Sequence, residues 1–179
     1  MTVTDQRNDT SLAQDAGSGA SSLGLLVLRL FVGLAMAAHG AQKLFNFGGG
    51  GGIEGTADYF EALGFEPSTP YAVLSGLVEF GGGLFIALGL ALPFAAAAVA
   101  ANMTGAYAAI QAGTDGDFFA GTGGPELELF YICAAFALIL TGPDRLAIRI
   151  PALDGPKMRT LGAVLAIVGG VGAVVVYHL

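Results

Sequence analysis

The chain has 179 residues, one cysteine and a net charge of −7. Apolar residues make up 54% of it and charged residues only 12%, with a mean hydropathy of +0.70, whereas a soluble domain carries about 25% charged residues. No basic patch exists to hold nucleic acid, and the lone Cys133, inside an apolar run, excludes an intrachain disulfide and a catalytic dithiol.

Residues 1–22 are polar and small and lack apolar periodicity, so they read as a disordered tail. Ala35-Met36-Ala37 resembles a signal cleavage site, but the preceding segment sets Arg7 against Asp5, Asp9 and Asp15, and Arg29 interrupts the apolar run. Cleavage is therefore not expected. The first span is Leu23 to Leu44. As a helix it rises about 33 Å, enough for a hydrocarbon core of about 30 Å.

The glycine run Gly48 to Gly52 reads as a flexible connection. Thr56 to Gly64 then predicts a short helix capped by Thr56, with Ala57, Phe60 and Leu63 on one face. Such a piece suits the membrane interface, although a plain loop is an equal alternative. Tyr71 to Leu92 is the second span and contains Glu79; Pro93 divides it from the third, Phe94 to Gln111. With no charge between them, these two form a tight hairpin. Residues 112–125 are a Gly/Asp loop, and Pro125, Glu126 and Glu128 fit the first turn of a short fourth span ending at Thr141. Pro143 stops it. Leu161 to Tyr177 is the fifth span, with small-residue faces at Gly169/Ala173 and Ala166/Gly170.

The fold class is thus all-α, an integral membrane four-helix bundle (23–150) followed by a linker and a fifth transmembrane helix (151–179). Arg145, Arg149, Lys157 and Arg159 fall in the segment 143–160, while the loops 45–70 and 112–125 hold no Lys or Arg. The positive-inside rule puts 143–160 and the N-terminus in the cytoplasm and the C-terminus outside.

Polar groups inside such spans are costly and usually face protein or a wet cavity. The candidates are Arg29, His39, Gln42, Lys43, Glu79 and Glu126, most of them expected in the outer half of the bundle. Arg29, Gly33, Met36, Gly40 and Lys43 share one face of the first span. Glu79 is expected to pair with Arg29 or Lys43, either for chemistry or to fix helix register. His39 reads as an interfacial hydrogen-bonding residue, as a proton carrier or quinone contact, or as a metal or haem ligand. A haem would need a second ligand, and His178 is the one other histidine. Asn102, Tyr107 and Tyr131 read as helix–helix hydrogen bonds or interface anchors. No metal cluster of recognisable spacing, phosphate loop, nucleophile elbow or dinucleotide fingerprint is present.

Four motifs in order resemble the DoxX family of small bacterial and archaeal membrane proteins. Arg29-Leu-x-x-Gly33 with His39-Gly40-x-Gln42-Lys43-Leu44-Phe45 is similar to that family's first helix. Glu79-Phe-Gly-Gly-Gly-Leu, with Gly89 closing the helix, resembles its second, and Glu126-Leu-Glu128 the acidic start of its fourth. Thr141-Gly-Pro-Asp-Arg145-Leu resembles its closing turn, but Pro143 or Asp144 stands where a second glycine is common. The resemblance implies a four-helix bundle in the cytoplasmic membrane and a link to redox chemistry, as a subunit of a thiosulfate:quinone oxidoreductase or an anchor for enzymes of oxidative stress. The expectation is then a redox-associated subunit contacting quinone. Arg29 and Glu79 would set the electrostatics, and His39 would hydrogen-bond a quinone carbonyl. His39, Gln42 and Lys43 stand at the outer end of the first span, and Lys43 and Glu126 would shape an outward mouth. No metal is implied. The partners would be the lipid bilayer and soluble redox enzymes or another oxidoreductase subunit, with a homo-oligomer left open. The rival readings are a non-enzymatic membrane scaffold and a small solute or proton transporter.

Overall fold

A computed structural model describes residues 3–114 and 116–178, with side chains from Gly19 onward. Its helices are α1 (Val3–Phe45), α2 (Gly52–Ala62), α3 (Ser68–Leu88), α4 (Leu92–Gly113), α5 (Glu126–Thr141), the single turn α6 (Pro151–Asp154) and α7 (Pro156–Tyr177). No strand occurs among the described residues. Four helical stretches there are long and apolar enough to cross a membrane: Gly19–Phe45, Ser68–Leu88, Leu92–Gly113 and Pro156–Tyr177. The protein is therefore a multi-pass, all-α membrane bundle. Helix α5 has 16 residues and rises about 24 Å, short of a full hydrocarbon core.

Several boundaries differ from the sequence reading. The backbone of α1 continues back to Val3, through most of the polar stretch 1–22. Helix α2 starts at Gly52 rather than Thr56. Thr56 sits one turn inside, its hydroxyl bonded back to the Gly52 carbonyl at 2.7 Å, so it cannot cap. The Asn46 side chain instead accepts the Gly51 N–H at 2.8 Å and shapes the approach to the helix. Helix α7 begins at Pro156, so Lys157 and Arg159 belong to its first turn rather than to the linker.

The interior and exterior are inverted relative to a soluble protein. Leucines, valines and phenylalanines cover the outside: Val27, Phe31, Leu74, Leu77, Val168 and Val171 are all more than half exposed. Lipid is as apolar as leucine, so nothing drives these side chains inward. The inside holds small residues and an apolar core that includes Met36, Ile86, Leu92 and Leu138, together with fully or almost fully buried Arg29 and Glu79.

Glycine sets the distance between helices. Gly33 and Gly40 of α1 lie against Gly83 and Gly76 of α3. An added Cβ on Gly33 would lie 2.5 Å from the Ala87 nitrogen and the Gly83 oxygen. These are backbone atoms, so α1 and α3 are in main-chain contact, as small-residue membrane interfaces permit. Helix α4 is the hub, packing on α3, α5 and α7. Gly162, Ala166 and Gly170 form the buried stripe of α7, with Gly162 over Pro93 and Gly170 over Thr104 of α4.

Candidate functional site

The two ends of the bundle hold two separate ion pairs. At one end Arg29, with 0% exposure, donates from Nε to Asp144 Oδ2 at 3.0 Å and from Nη2 to Oδ1 at 3.4 Å. Its Nη1 donates to the Ala87 carbonyl at 3.2 Å. Asp144 also accepts the Leu146 N–H at 2.6 Å. This fork ties α1 to the end of α3 and to the turn after α5. Gly89 makes room for it: its φ is +74°, and a Cβ there would run into Arg29 and into Ala147. Arg29 thus pairs with Asp144, and Glu79 is the partner of Lys43.

Fourteen residues along α1 from Arg29, or about 21 Å, Lys43 forms the second pair with Glu79. Glu79 is 1% exposed. Ser75 lies one turn before it on the same face of α3 and donates to Glu79 Oε1 at 3.2 Å. Asn102 of α4 donates to the same oxygen at 3.0 Å and reaches Ser75 Oγ at 3.2 Å. Lys43 Nζ also lies 3.2 Å from Ser75 Oγ and 5.8 Å from the centre of the Phe60 ring. Three donors therefore converge on Oε1. The other oxygen, Oε2, is buried and has no hydrogen-bond partner among the described residues.

Glu79 and Lys43 lie on the wall of a cavity of about 400 Å³. Helix α1 adds Met36 and His39, and α4 adds Asn102 and Met103. Helix α2 covers one side with Tyr59, Phe60 and Leu63. Leu127, Glu128 and Tyr131 come from α5, and Ala173 and Val176 from α7. The lining is mostly apolar and aromatic with a few convergent polar groups, the usual make-up of a small-molecule site.

His39 stands at the centre of the polar side. Its Nδ1 is 3.2 Å from Gln42 Oε1, three residues on. A proton on Nδ1 makes this contact a hydrogen bond donated to the amide oxygen. The ring meets Tyr131 edge-on, centroids 6.2 Å apart. Burial, and then the charge of Glu128, push the Tyr59 phenol above its ordinary value.

Of the residues singled out from sequence, the structure brings His39, Lys43 and Glu79 to one cavity, with Gln42 bonded to His39. Arg29 lies at the opposite end. Glu126 turns away from the cavity, accepts the Ala120 N–H at 3.1 Å and borders a shallower groove with Phe31 and Phe130. Glu128 is the carboxylate of that turn that lines the cavity. Ser75, Asn102, Tyr59, Tyr71 and Tyr131 complete the polar set. Among the described residues no three His, Cys, Asp or Glu side chains are grouped to hold a metal.

The DoxX family model matches residues 24–112, which run from α1 through almost all of α4. The chain belongs to the DoxX family. No curated protein and no solved structure matches it. The matched DoxX segment supplies Lys43, Ser75, Glu79 and Asn102, the whole of the converging network. The α5 and α7 walls lie beyond it, so the remainder of the chain closes the cavity.

Proposed function

We propose that this DoxX protein is a redox-associated membrane subunit that binds a quinone in the cavity between α1, α3, α4 and α5. The observation that carries the reading is a buried carboxylate–ammonium pair with an imidazole beside it, on the wall of an apolar, aromatic cavity inside a membrane bundle. A flat ring suits the Met36, Phe60 and Tyr131 surfaces, and Lys43 and the Tyr59 and Tyr131 hydroxyls offer hydrogen-bond donors to its oxygens, with His39 beside them. When bound, a quinone supplies two-electron, two-proton carrier chemistry. In this reading Lys43 holds Glu79 in place, Gln42 fixes the His39 tautomer, and His39 exchanges a proton with a ligand oxygen. The aromatic cover from α2 keeps bulk water off the polar groups.

The orientation we favour puts the Lys43 end outside and Arg145, Arg149, Lys157 and Arg159 on the cytoplasmic face. A scaffold role is the second reading. It rests on Arg145 and Arg149, exposed at that face, which would recruit an acidic partner. Neutralising the four basic residues should then strip the proteins that co-purify; an unchanged set rejects the scaffold.

The quinone reading is tested by solvent extraction of the detergent-purified protein and by equilibrium dialysis against decyl-benzoquinone. A co-extracted quinone, or saturable binding weakened in His39→Ala, supports it. Absence of both extracted quinone and saturable binding overturns it.

A further inference from the structure

We infer that the turn formed by residues 145–149 is a binding site for an anionic phospholipid, with Arg145 and Arg149 on the headgroup phosphate and Leu146 and Ile148 at the edge of the acyl layer. The site lies at the opposite end of the bundle from the cavity and does not depend on the quinone reading. It gives the buried Arg29–Asp144 pair something to support.

The turn is pinned to the bundle at three points. Asp144 grips the fully buried Arg29 guanidinium and accepts the Leu146 N–H at 2.6 Å. The Ile148 N–H donates to the Leu88 carbonyl at 2.9 Å, where α3 ends. Ala147 rests on Gly89, where an added Cβ would lie 2.5 Å from the Ala147 Cβ. What is left facing outward is a mixed row. Arg145 and Arg149 are exposed, and Leu146 and Ile148 between them are each more than half exposed. Asp154 stands 3.9 Å from Arg149 Nε, beyond hydrogen-bond range. Among the described residues neither arginine side chain donates a hydrogen bond, so both guanidinium forks keep their donors for a ligand.

Depth favours a lipid over a soluble acidic partner. Helix α1 carries exposed Val27 and Leu23 two and six residues beyond Arg29, so its lipid-facing surface continues about 9 Å past the pinned turn. Helix α7 does the same. Gly162 meets Pro93 at the start of α4, and exposed Lys157, in the first turn of α7, stands five residues or about 7 Å further out. Leu23 and Lys157 both fall inside stretches long and apolar enough to cross a membrane. The turn therefore lies at headgroup level, inside the thickness that these helices span, rather than free in water. Leucine and isoleucine at that level meet acyl chains, while arginine reaches the phosphates from its long stem. A guanidinium holds a phosphate through two parallel N–H groups. A phosphatidylcholine headgroup brings its own cation to the same place, and a phosphatidylglycerol headgroup does not. Each basic residue at an anionic surface is worth about fivefold in binding, so two give a preference of at least about tenfold.

The test titrates the full chain in detergent with dioleoyl-phosphatidylglycerol and, separately, with dioleoyl-phosphatidylcholine, and reads bound lipid by native mass spectrometry. The expected result is phosphatidylglycerol binding to the wild type at least about tenfold tighter than phosphatidylcholine. Arg145→Gln with Arg149→Gln should bring the two lipids within about threefold of each other. Both positions are exposed, so the fold should survive the change. Leu146→Ser with Ile148→Ser should weaken both lipids and keep the preference. Equal binding of the two lipids by the wild type overturns the inference and leaves the arginines to the scaffold reading. A preference that persists undiminished in the double arginine variant also overturns it, because the headgroup then sits elsewhere. Displacement of phosphatidylglycerol by inorganic phosphate would show a site for a free anion, and overturns it as well. The wild-type and phosphate arms need no variant and hold even if one fails to fold.

Discussion

Replacing Asp144 by alanine removes both carboxylate contacts of a guanidinium that has 0% exposure. Arg29 then keeps only the Ala87 carbonyl at 3.2 Å. Water cannot reach it, and it cannot swing out past Gly89, whose backbone lies against Nη1. Breaking a buried pair by removing one partner costs about 3–5 kcal/mol, because the remaining charge is left uncompensated. For a chain of this size each kcal/mol moves the midpoint by about 2–4 °C, so the expected loss is roughly 6–20 °C. The assay is thermal unfolding followed by circular dichroism at 222 nm in detergent, which suits a helical chain without tryptophan. The diagnostic variant is the double replacement Arg29→Met with Asp144→Ala. Removing both charges together avoids the orphaned guanidinium, so it should recover at least half of the loss. Two results would refute the reasoning. One is an Asp144→Ala protein with a midpoint within about 2 °C of wild type. The other is a double variant as unstable as the sum of the two single ones, which would mean that the contacts act independently.

Gly83→Val should drive α1 and α3 apart, since a Cβ there meets the Ala37 nitrogen and Gly33 oxygen at 2.5 Å; a loss of about 1–3 kcal/mol or more is expected by the same unfolding assay. Gly81→Ala is its control: nothing lies within 4 Å of the added atom, so stability should stay level or rise slightly. Gly89→Ala combines left-handed backbone with a collision against Arg29 and Ala147, and should resemble Asp144→Ala in severity rather than the roughly 1–2 kcal/mol of conformational strain alone. The Tyr59 phenol is raised by burial and by Glu128. In the folded protein it keeps its proton above the usual value of about 10, while in the unfolded chain it loses that proton first. Folding stability therefore falls as pH rises through about 10, and Tyr59→Phe should flatten that slope. Tyrosinate absorbance at 295 nm should show a late-titrating component that shrinks in Tyr59→Phe and shifts down in Glu128→Gln.

The membrane bundle was legible in the sequence because hydropathy over 20 residues reports a single property, solvation of a helix by lipid. The ends of helices were less legible. Thr56 looks like a cap, yet the Asn46 side chain bonds the Gly51 N–H and the helix begins four residues earlier than Thr56. The partner of Arg29 was hidden for a different reason. Asp144 lies 115 residues away in a turn, and it reaches Arg29 only because α1, α3 and α5 meet there. Lys43 and Glu79 were both visible as charges in apolar runs, but which cation Glu79 meets depends on depth and helix rotation. Glu126 and Glu128 differ by two residues, or about 200° around a helix. Composition cannot decide which of them faces inward. Asn102 stands out in the alanine-rich α4, and that contrast was the one signal for its place beside Glu79. Phe60 was legible on the apolar face of the short helix, but nothing in its pattern said that this face covers the cavity, and Tyr59 gave no signal of its own.

The glycine seam between α1 and α3 has a mechanical consequence. Lys43 and Glu79 stand on the two helices that touch main chain to main chain at Gly33, Gly40 and Gly83. The charge pair is therefore mounted on a close main-chain joint, and its spacing is insulated from whatever the bilayer does to the outer helices. Breathing motions that admit a ligand must be taken up elsewhere, by α2 on its glycine-rich connection and by α7, which meets the cavity through Ala173 and Val176. Bilayer thickness and lateral pressure would accordingly change how often the cavity opens while leaving the geometry of its polar groups unchanged.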